Sequence, residues 1–278
     1  MNKKWECYVT DEQKTEYIIE KYKINKLLAT ILANRNIIDE GAVQKFLQPT
    51  RKDFHDPYLM PDMEKAVERI VKAIEDKQKI MIYGDYDADG ITSITVLKKF
   101  LNERNIPVET YIPNRLDEGY GLNKNAIKSI YDLGYRLMIT VDCGISGIEE
   151  IEFANSLGIE TIITDHHEPA ETLPNAYAII DAKRKDNKYP FNQLAGVGVV
   201  FKLIQAISIK LGLEEKEYLK YLDLVCVGTI SDIVPLIDEN RVIAKLGLKL
   251  VEVTKNIGLA TLIDIIGFKR IDSMAVSF

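Results

Sequence analysis

The chain has 278 residues, of which 46% are hydrophobic and 28% are charged, and its formal net charge is −6. This composition is typical of a globular protein rather than a disordered one, and the length suffices for one large domain or one domain with an appendage. The acidic balance argues against a dedicated nucleic-acid coat protein. It leaves open an enzyme that acts on nucleic acid, because a metal cluster itself requires carboxylates.

Hydropathy and cysteine usage indicate the compartment. No stretch approaches the ~18 apolar residues of a membrane-spanning helix, and Met1–Glu6 lacks the apolar segment of a signal peptide. The cysteines Cys7, Cys143 and Cys226 are odd in number and widely separated, which suits a reducing compartment and gives no zinc spacing. We therefore expect a cytoplasmic protein without membrane contact.

Residues 1–78 are predicted to form a helical N-terminal extension packed on the core, without an obvious catalytic residue. Asp39 is expected to cap a short helix, and Asp62 a longer one. His55, beside an Asp-Pro pair, is predicted to be a structural turn residue.

From Ile80 onward, apolar strands alternate with amphipathic helices. This alternation predicts an α/β fold with a mainly parallel sheet flanked by helices, in which ligands bind at the carboxyl ends of the strands. The predicted strands are 80–83, 108–112, 137–141, 160–164 and 177–180, and the predicted helices are 90–103, 124–133, 147–157 and 193–211. We expect residues 79–238 to be the catalytic domain, and the helical residues 239–278 to begin a linker helix that leads to a C-terminal domain outside this chain.

Acidic residues follow three of the predicted strands. Asp85, Asp87 and Asp89 alternate after the first strand, Asp142 follows the third, and Asp165-His166-His167 follows the fourth. Like charges this close raise one another's pKa unless a cation lies between them. Carboxylates with imidazoles, and without thiolates, favour Mn²⁺ or Mg²⁺ over structural zinc. Two such ions can activate a water and clamp both oxygens of a phosphoryl displacement.

Three further features are open to two interpretations each. Asp232, at the end of a long apolar helix, is either a further metal ligand or a helix cap. Arg115, after the second strand, either contacts a phosphate or is a solvated loop charge. The turn Gly196-Val197-Gly198 either cradles a phosphate or allows close packing of a helix.

Two other metal loops resemble the first acidic motif but fit it poorly. An EF-hand requires Glu at its twelfth position, where this chain has Val96, and a helix rather than a strand before the loop. In the aspartyl-phosphate loop of haloacid-dehalogenase phosphatases, the nucleophilic Asp follows its strand immediately, whereas Gly84-Asp85-Tyr86 precedes Asp87 here.

The ordered motifs resemble those of the DHH phosphoesterases, whose name repeats Asp165-His166-His167. Within that family, several other stretches are similar to the RecJ-type single-strand-specific exonucleases. These stretches are Phe46-Leu47, Pro49, His55-Asp56-Pro57, Asp62–Ala66, Glu118-Gly119-Tyr120-Gly121, Ala195-Gly196-Val197-Gly198 and Asp232–Leu236.

This resemblance implies a two-metal 5′→3′ exonuclease that degrades single-stranded DNA to mononucleotides in DNA repair and recombination. It implies that His167 contacts the scissile phosphate or stabilises charge there, and that Asp85 and Asp165 support catalysis. Arg115 is the candidate substrate-binding residue from its position alone. The resemblance also implies a monomer that works with a single-strand-binding protein and a helicase. The implied ligands of the Mn²⁺ or Mg²⁺ ions are Asp87, Asp89, Asp142, His166 and Asp232.

Two alternative functions remain. One is another DHH phosphodiesterase that acts on short oligonucleotides, cyclic dinucleotides or pyrophosphate, against which the long N-terminal extension argues. The other is a catalytically silent DHH scaffold, against which the complete set of acids argues, because uncompensated carboxylates are costly to hold together.

Overall fold

The computed structural model of the chain describes residues 6, 7, 9–119, 121–268 and 270–277. Tyr120, a member of one predicted motif, lies outside these residues, as do positions 1–5 and 8 of the predicted extension and positions 269 and 278 of the predicted linker. The chain forms two compact units, residues 1–53 and 54–278. No helix in the described part of the chain is long and apolar enough to cross a membrane.

The described residues of the first unit form three helices and a terminal 3₁₀ turn. Side chains at the three helix starts accept backbone N–H groups that would otherwise lack partners: Asp11, Asn25 and, as predicted, Asp39. The helices are α1 (Glu12–Tyr22), α2 (Lys26–Asn34) and α3 (Glu40–Leu47), and the turn is Arg51–Asp53. Ile18, Leu32 and Val43 form the centre of a small apolar core.

The second unit is built on a five-stranded sheet in which every pairing is parallel. The strands are β1 (Ile80–Gly84), β2 (Val108–Tyr111), β3 (Leu137–Val141), β4 (Glu160–Thr164) and β5 (Ala178–Ile180). Their order is β2-β1-β3-β4-β5, so the topology reverses between β1 and β3, and ligands of such sheets bind at that point. The predicted fold class is confirmed, with the strands within one residue of their predicted bounds.

Strand residues alternate between two apolar layers, as the period of two in a strand requires. Ile80 and Ile82 belong to the larger core, whereas Met81 and Tyr83 belong to a second core on the opposite face. The remaining helices of this unit are α4 (Met63–Glu75), α5 (Ala88–Asn102), α6 (Lys124–Asp132), α7 (Ile148–Ser156), α8 (Gly196–Lys210), α9 (Lys216–Leu219), α10 (Leu222–Ser231), α11 (Asp238–Val251), α12 (Ile257–Ile266) and α13 (Ser273–Ser277), and a 3₁₀ turn spans Pro57–Leu59.

Asp62 has a different role from the one predicted. It precedes α4 in the left-handed conformation (φ 56°), and its side chain makes no capping bond to that helix. Its Oδ2 instead accepts the N–H of Ile179, at 3.1 Å, and a guanidinium N–H of Arg184, at 2.7 Å. The capping prediction was wrong because a long-range ion pair at the edge strand competes for the same carboxylate.

The start of α11 is fixed by a fully buried ion pair. Lys202 Nζ donates to Glu239 Oε1, at 2.9 Å, and to the carbonyl oxygen of His55, at 2.7 Å. The N–H of His55 also donates to Glu239 Oε1 (2.9 Å), and the Tyr189 hydroxyl donates to Oε2. Both charged side chains are 0% exposed. His55 is therefore structural, as predicted, and it joins α11 to α8.

The helices α4 and α11–α13 belong to the same compact unit as the sheet. The functional division at residues 78 and 238 stays a prediction, because a compact unit and a functional domain need not share their boundaries.

Candidate metal centre

Four acidic residues lie in register at the carboxyl edge of the sheet. Gly84 pairs with Val141, Val141 with Thr164, and Thr164 with Ile180. The next residue on each strand is an aspartate: Asp85, Asp142, Asp165 and Asp181. None of the four is more than 2% exposed. Neighbouring strands are about 4.8 Å apart, so the register alone brings these four acids close together.

The first turn of α5 adds two more carboxylates. Asp87 caps this helix by accepting the N–H of Gly90 at 2.9 Å, so the helix begins at Ala88, two residues before its predicted start. Asp89 thereby lies within the helix and is 2% exposed.

The N-terminus of α8 holds Asp89 in place. The N–H groups of Gly196 and Val197 donate to its two carboxylate oxygens, at 2.6 and 2.8 Å. A Cβ at position 196 would lie 2.6 Å from Asp142 Oδ1, so glycine is required there for close approach. Of the two interpretations of this turn, close packing is therefore the one observed, and the helix terminus binds a protein carboxylate.

Asp142 has a buried oxygen and a raised pKa, as expected of a metal ligand whose charge is not neutralised by a cation. It adopts the left-handed conformation (φ 58°), which Asp tolerates better than most residues. Its Oδ1 is buried and receives no hydrogen bond from the described residues. Burial, and then the charges of Asp87 and Asp165, raise its pKa to about 9. A cation would satisfy this oxygen and reverse the shift.

His166 lies between the acids. Its Nε2 is 3.2 Å from Asp142 Oδ1 and 3.8 Å from Asp89 Oδ2, and its Nδ1 is 3.8 Å from Asp232 Oδ2. Burial and the neighbouring Asp142 hold the pKa of Asp89 well above its usual range. Burial also raises the pKa of Asp232. Asp232 follows the last residue of α10, so a helix end brings it to the edge of the sheet.

Among the described residues, three groups of side chains have ligand atoms within 4.8 Å of one another: Asp85, Asp87 and Asp142; Asp89, His166 and Asp232; and Asp142, His166 and His167. Two of these groups share Asp142, and two share His166, as expected of adjacent ions that share a ligand. The donors are oxygens and imidazole nitrogens, which suit Mn²⁺ or Mg²⁺, and Asp142 Oδ1 receives no hydrogen bond from the described residues. The residues therefore fit a divalent-metal centre, and the assignment of individual ligands stays a prediction.

Asp165 belongs to none of these groups and instead organises the turn after β4. Its Oδ1 accepts the N–H groups of His166 (2.7 Å) and His167 (3.1 Å) and bonds His167 Nδ1 at 2.7 Å. Its Oδ2 accepts the N–H of Ile145 at 2.9 Å. Burial disfavours its charge, but the His167 bond and these N–H groups outweigh burial and lower its pKa. The same bond to Asp165 raises the pKa of His167 to about 9, so this imidazole is cationic at neutral pH.

Arg115 is exposed on the loop after β2, on the same edge of the sheet. Its guanidinium carbon lies 5.3 Å from the ring centroid of Tyr86. In the sequence, Tyr86 stands between the acids Asp85 and Asp87. A cation–π contact holds the side chain beside the acidic loop. The predicted contact with substrate stays a prediction.

Asp181 was missed by the sequence interpretation. It is fully buried, and burial, with the charge of Asp165, raises its pKa to about 7, whereas Lys183 and His166 act in the opposite direction. The signal that could have found it is its position directly after the fifth predicted strand, which matches the positions of the other acids.

Comparisons with known proteins define the class to which this site belongs. The sequence profile described as "DHH family, N-terminal domain" matches residues 79–229. This range contains the whole sheet and six of the seven residues in the three ligand groups. The chain belongs to the DHH family, which confirms the resemblance noted from its motifs.

The relatives narrow the comparison to one group within this family. The chain is 44% identical, over 95% of its length, to the single-stranded-DNA-specific exonuclease RecJ of Bacillus subtilis, and 35% identical, over 78% of its length, to that of Thermus thermophilus. It covers 33% and 32% of these proteins, so it spans about a third of the length of the curated relatives that it matches.

Solved RecJ structures are also similar to this chain. A crystal structure of exonuclease RecJ bound to manganese is 32% identical, with a TM-score of 0.73, over 79% of this chain and 55% of that one. RecJ of Thermus thermophilus in complex with Mn²⁺ is 27% identical, with a TM-score of 0.81, over 96% of this chain and 38% of that one.

Proposed function

We propose that the protein is a metal-dependent exonuclease that hydrolyses single-stranded DNA in the 5′→3′ direction and releases mononucleotides, in DNA repair and recombination. The observation that carries this proposal is Asp142 Oδ1, a buried oxygen to which no described residue donates a hydrogen bond, at the point where two ligand groups meet. The similarity to RecJ exonucleases over 95% of the chain supports the substrate class.

We assign two ions, Mn²⁺ or Mg²⁺, to Asp87, Asp89, Asp142, His166 and Asp232. Asp85 supports the ion beside Asp87, because its carboxylate belongs to the same group. When bound, the ions would activate a water and neutralise charge on the scissile phosphate.

The protein supplies orientation and one further positive charge. The N-terminus of α8 fixes both oxygens of Asp89. Asp165 holds His167 as an imidazolium, and this ring is 43% exposed, so it can donate a hydrogen bond to a phosphate oxygen as negative charge develops there. Arg115, over Tyr86, is placed to pair with a neighbouring phosphate of the strand.

The proposal extends to the compartment, the domain organisation and the protein partners. We infer a cytoplasmic monomer in which residues 79–238 form the catalytic domain, preceded by the extension 1–78 and followed by a linker helix within 239–278. A single-strand-binding protein and a helicase are its proposed partners.

Asp89→Ala tests the function. The variant should keep its circular dichroism spectrum but lose Mn²⁺-dependent digestion of single-stranded DNA, because a ligand and the contact that holds it are both removed. Asp132→Ala, at an exposed acid at the end of α6, is the matched control and should digest normally. Full activity of Asp89→Ala would refute the assignment, and activity of the wild-type protein on cyclic or short oligonucleotides alone would favour the other DHH phosphodiesterases.

The polarity of digestion can be tested with the wild-type protein on strands labelled at one end. A 5′ label should be released as a mononucleotide at the earliest times, and a 3′ label only late. Early release of the 3′ label would reverse the proposed direction without affecting the metal centre.

A further inference from the structure

Asp181 is the fourth acid of the row along the sheet edge. It follows β5, whose last residue, Ile180, pairs with Thr164 of β4. The N–H of Asp165 donates to the carbonyl oxygen of Ile180 at 3.1 Å. Asp181 therefore lies beside the turn that carries His166 and His167, and it is 0% exposed.

One oxygen of Asp181 lacks a partner. Oδ1 accepts the N–H of Lys183 at 2.7 Å, whereas Oδ2 is buried and receives no hydrogen bond from the described residues. Buried carboxylate oxygens are almost always paired, because desolvation without a donor is costly. Asp181 belongs to none of the three ligand groups found in the described part of the chain. It is therefore placed beside the metal centre and not among its ligands.

His166 requires a hydrogen-bond acceptor for its second ring nitrogen. Its Nε2 faces Asp142 and Asp89, whereas its Nδ1 lies 3.8 Å from Asp232 Oδ2, which is too far for a hydrogen bond. A histidine that binds a metal through one ring nitrogen donates the N–H of the other, usually to a carboxylate, a carbonyl group or a water, and this bond fixes its tautomer and ring orientation.

We propose that Asp181 is a positioning residue for His166: its Oδ2 accepts the Nδ1–H of His166 through one bridging water, and so presents Nε2 to the metal. This inference rests on the proposed function, since it requires the metal centre. It adds the residue that directly follows β5, an acid that no sequence motif had identified.

Asp181→Asn separates this role from general packing. Asparagine keeps the shape of the side chain but replaces one of the two carboxylate oxygens with an NH₂ donor, so the side chain cannot present an acceptor at both the Lys183 position and the His166 position. The matched control is Asp223→Asn, which also alters a buried aspartate that accepts a backbone N–H and a side-chain donor, Thr254, but lies on α10 away from the three groups.

Mn²⁺ affinity, measured by titration calorimetry on the 278-residue chain, is the readout. Asp181→Asn should bind Mn²⁺ about 10–100-fold more weakly, and excess Mn²⁺ should restore its turnover, whereas Asp223→Asn should bind normally even if it melts earlier. Normal Mn²⁺ affinity in a destabilised Asp181→Asn would overturn the inference. If the wild-type protein itself fails to bind Mn²⁺, the proposed function also falls.

A measurement on the wild-type protein covers the case in which Asp181→Asn does not fold. Nitrogen-15 NMR of the metal-free protein, with imidazole signals assigned through His166→Gln, reports which ring nitrogen of neutral His166 carries the proton. The expected tautomer has the proton on Nδ1. A proton on Nε2 would overturn the inference, because Nδ1 would then donate nothing to Asp181.

Discussion

A single methyl group at position 196 should weaken the metal centre without altering any ligand. Gly196 is the first residue of α8, and its N–H holds Asp89. Its Cα lies against Asp142, so the Cβ of an alanine would lie 2.6 Å from Asp142 Oδ1 and 2.8 Å from Asp142 Cβ. Gly196→Ala changes neither the charge nor the donor set, so any effect on metal binding is geometric.

The expected magnitude follows from the overlap. Ordinary contact begins at 3.4 Å, so the alanine intrudes by about 0.8 Å, and either Asp142 or the start of α8 must move. Metal–ligand distances are confined to within about 0.2 Å, so a shift of this size disrupts the coordination of Asp142, which two ligand groups share. We expect Mn²⁺ to bind about 10–100-fold more weakly, which corresponds to about 1.4–2.8 kcal/mol.

Gly198→Ala is the matched control, two residues further along the same helix. Its Cβ would lie 3.2 Å from Cβ and Cδ2 of Leu194 and contact no metal ligand. Helix propensity favours alanine there and the tight Leu194 contact opposes it, so stability can change while the metal centre does not. Calorimetric titration with Mn²⁺, together with thermal melts, separates the two effects. If Gly196→Ala and Gly198→Ala bind Mn²⁺ equally well, the argument from close approach is wrong.

Three further predictions concern protons and a buried charge. Burial and like charges raise the pKa of Asp142 to about 9, so Mn²⁺ must displace a proton at neutral pH. The affinity of the protein for Mn²⁺ should therefore rise by up to about tenfold per pH unit from about pH 6 to 9. A calorimetric affinity that does not change with pH would contradict this. Asp165→Asn removes the bond that raises the pKa of His167 to about 9, so an NMR titration should find this pKa lowered towards its usual value near 6.5, with turnover at neutral pH reduced; an unchanged pKa would show that Asp165 is not its cause. Lys202→Met leaves the Glu239 charge buried without its Lys202 partner and should lower the free energy of unfolding in urea by about 3–5 kcal/mol. Adding Glu239→Gln to this variant should recover much of the loss. Equal stability of the single and double variants would exclude an ion-pair effect.

The strand-end acids could be predicted because one local rule locates them. Each apolar strand is short and is followed directly by its polar residue, and parallel strands end on the same edge. Asp85, Asp142 and Asp165 were therefore placed together from the sequence. Asp181 follows the same rule but lacks a neighbouring histidine or second acid, so it did not stand out.

Contacts between distant segments could not be predicted from local patterns. Asp62 resembles a helix cap, yet Ile179 and Arg184 take its carboxylate, and they are more than a hundred residues away in the sequence. The contact of Asp89 with Gly196 spans a similar distance. Helical periodicity reports which face of a helix is buried, but it does not identify the partner that the face meets.

The four acids that follow the strands, Asp85, Asp142, Asp165 and Asp181, also determine where the chain tolerates insertions and deletions. Side chains alternate between faces along a strand, so removing one residue from β3 or β4 would carry Asp142 or Asp165 to the wrong side of the sheet. The turns at the opposite edge hold none of the assigned metal ligands. Gly134 and Gly158 precede these strands with positive φ (87° and 75°), which favours glycine, but nothing packs within 4 Å of a Cβ built at either position, so added residues would meet open space. Length variation in this unit should therefore accumulate at the amino edge, while the four strands that end in aspartate keep a fixed length.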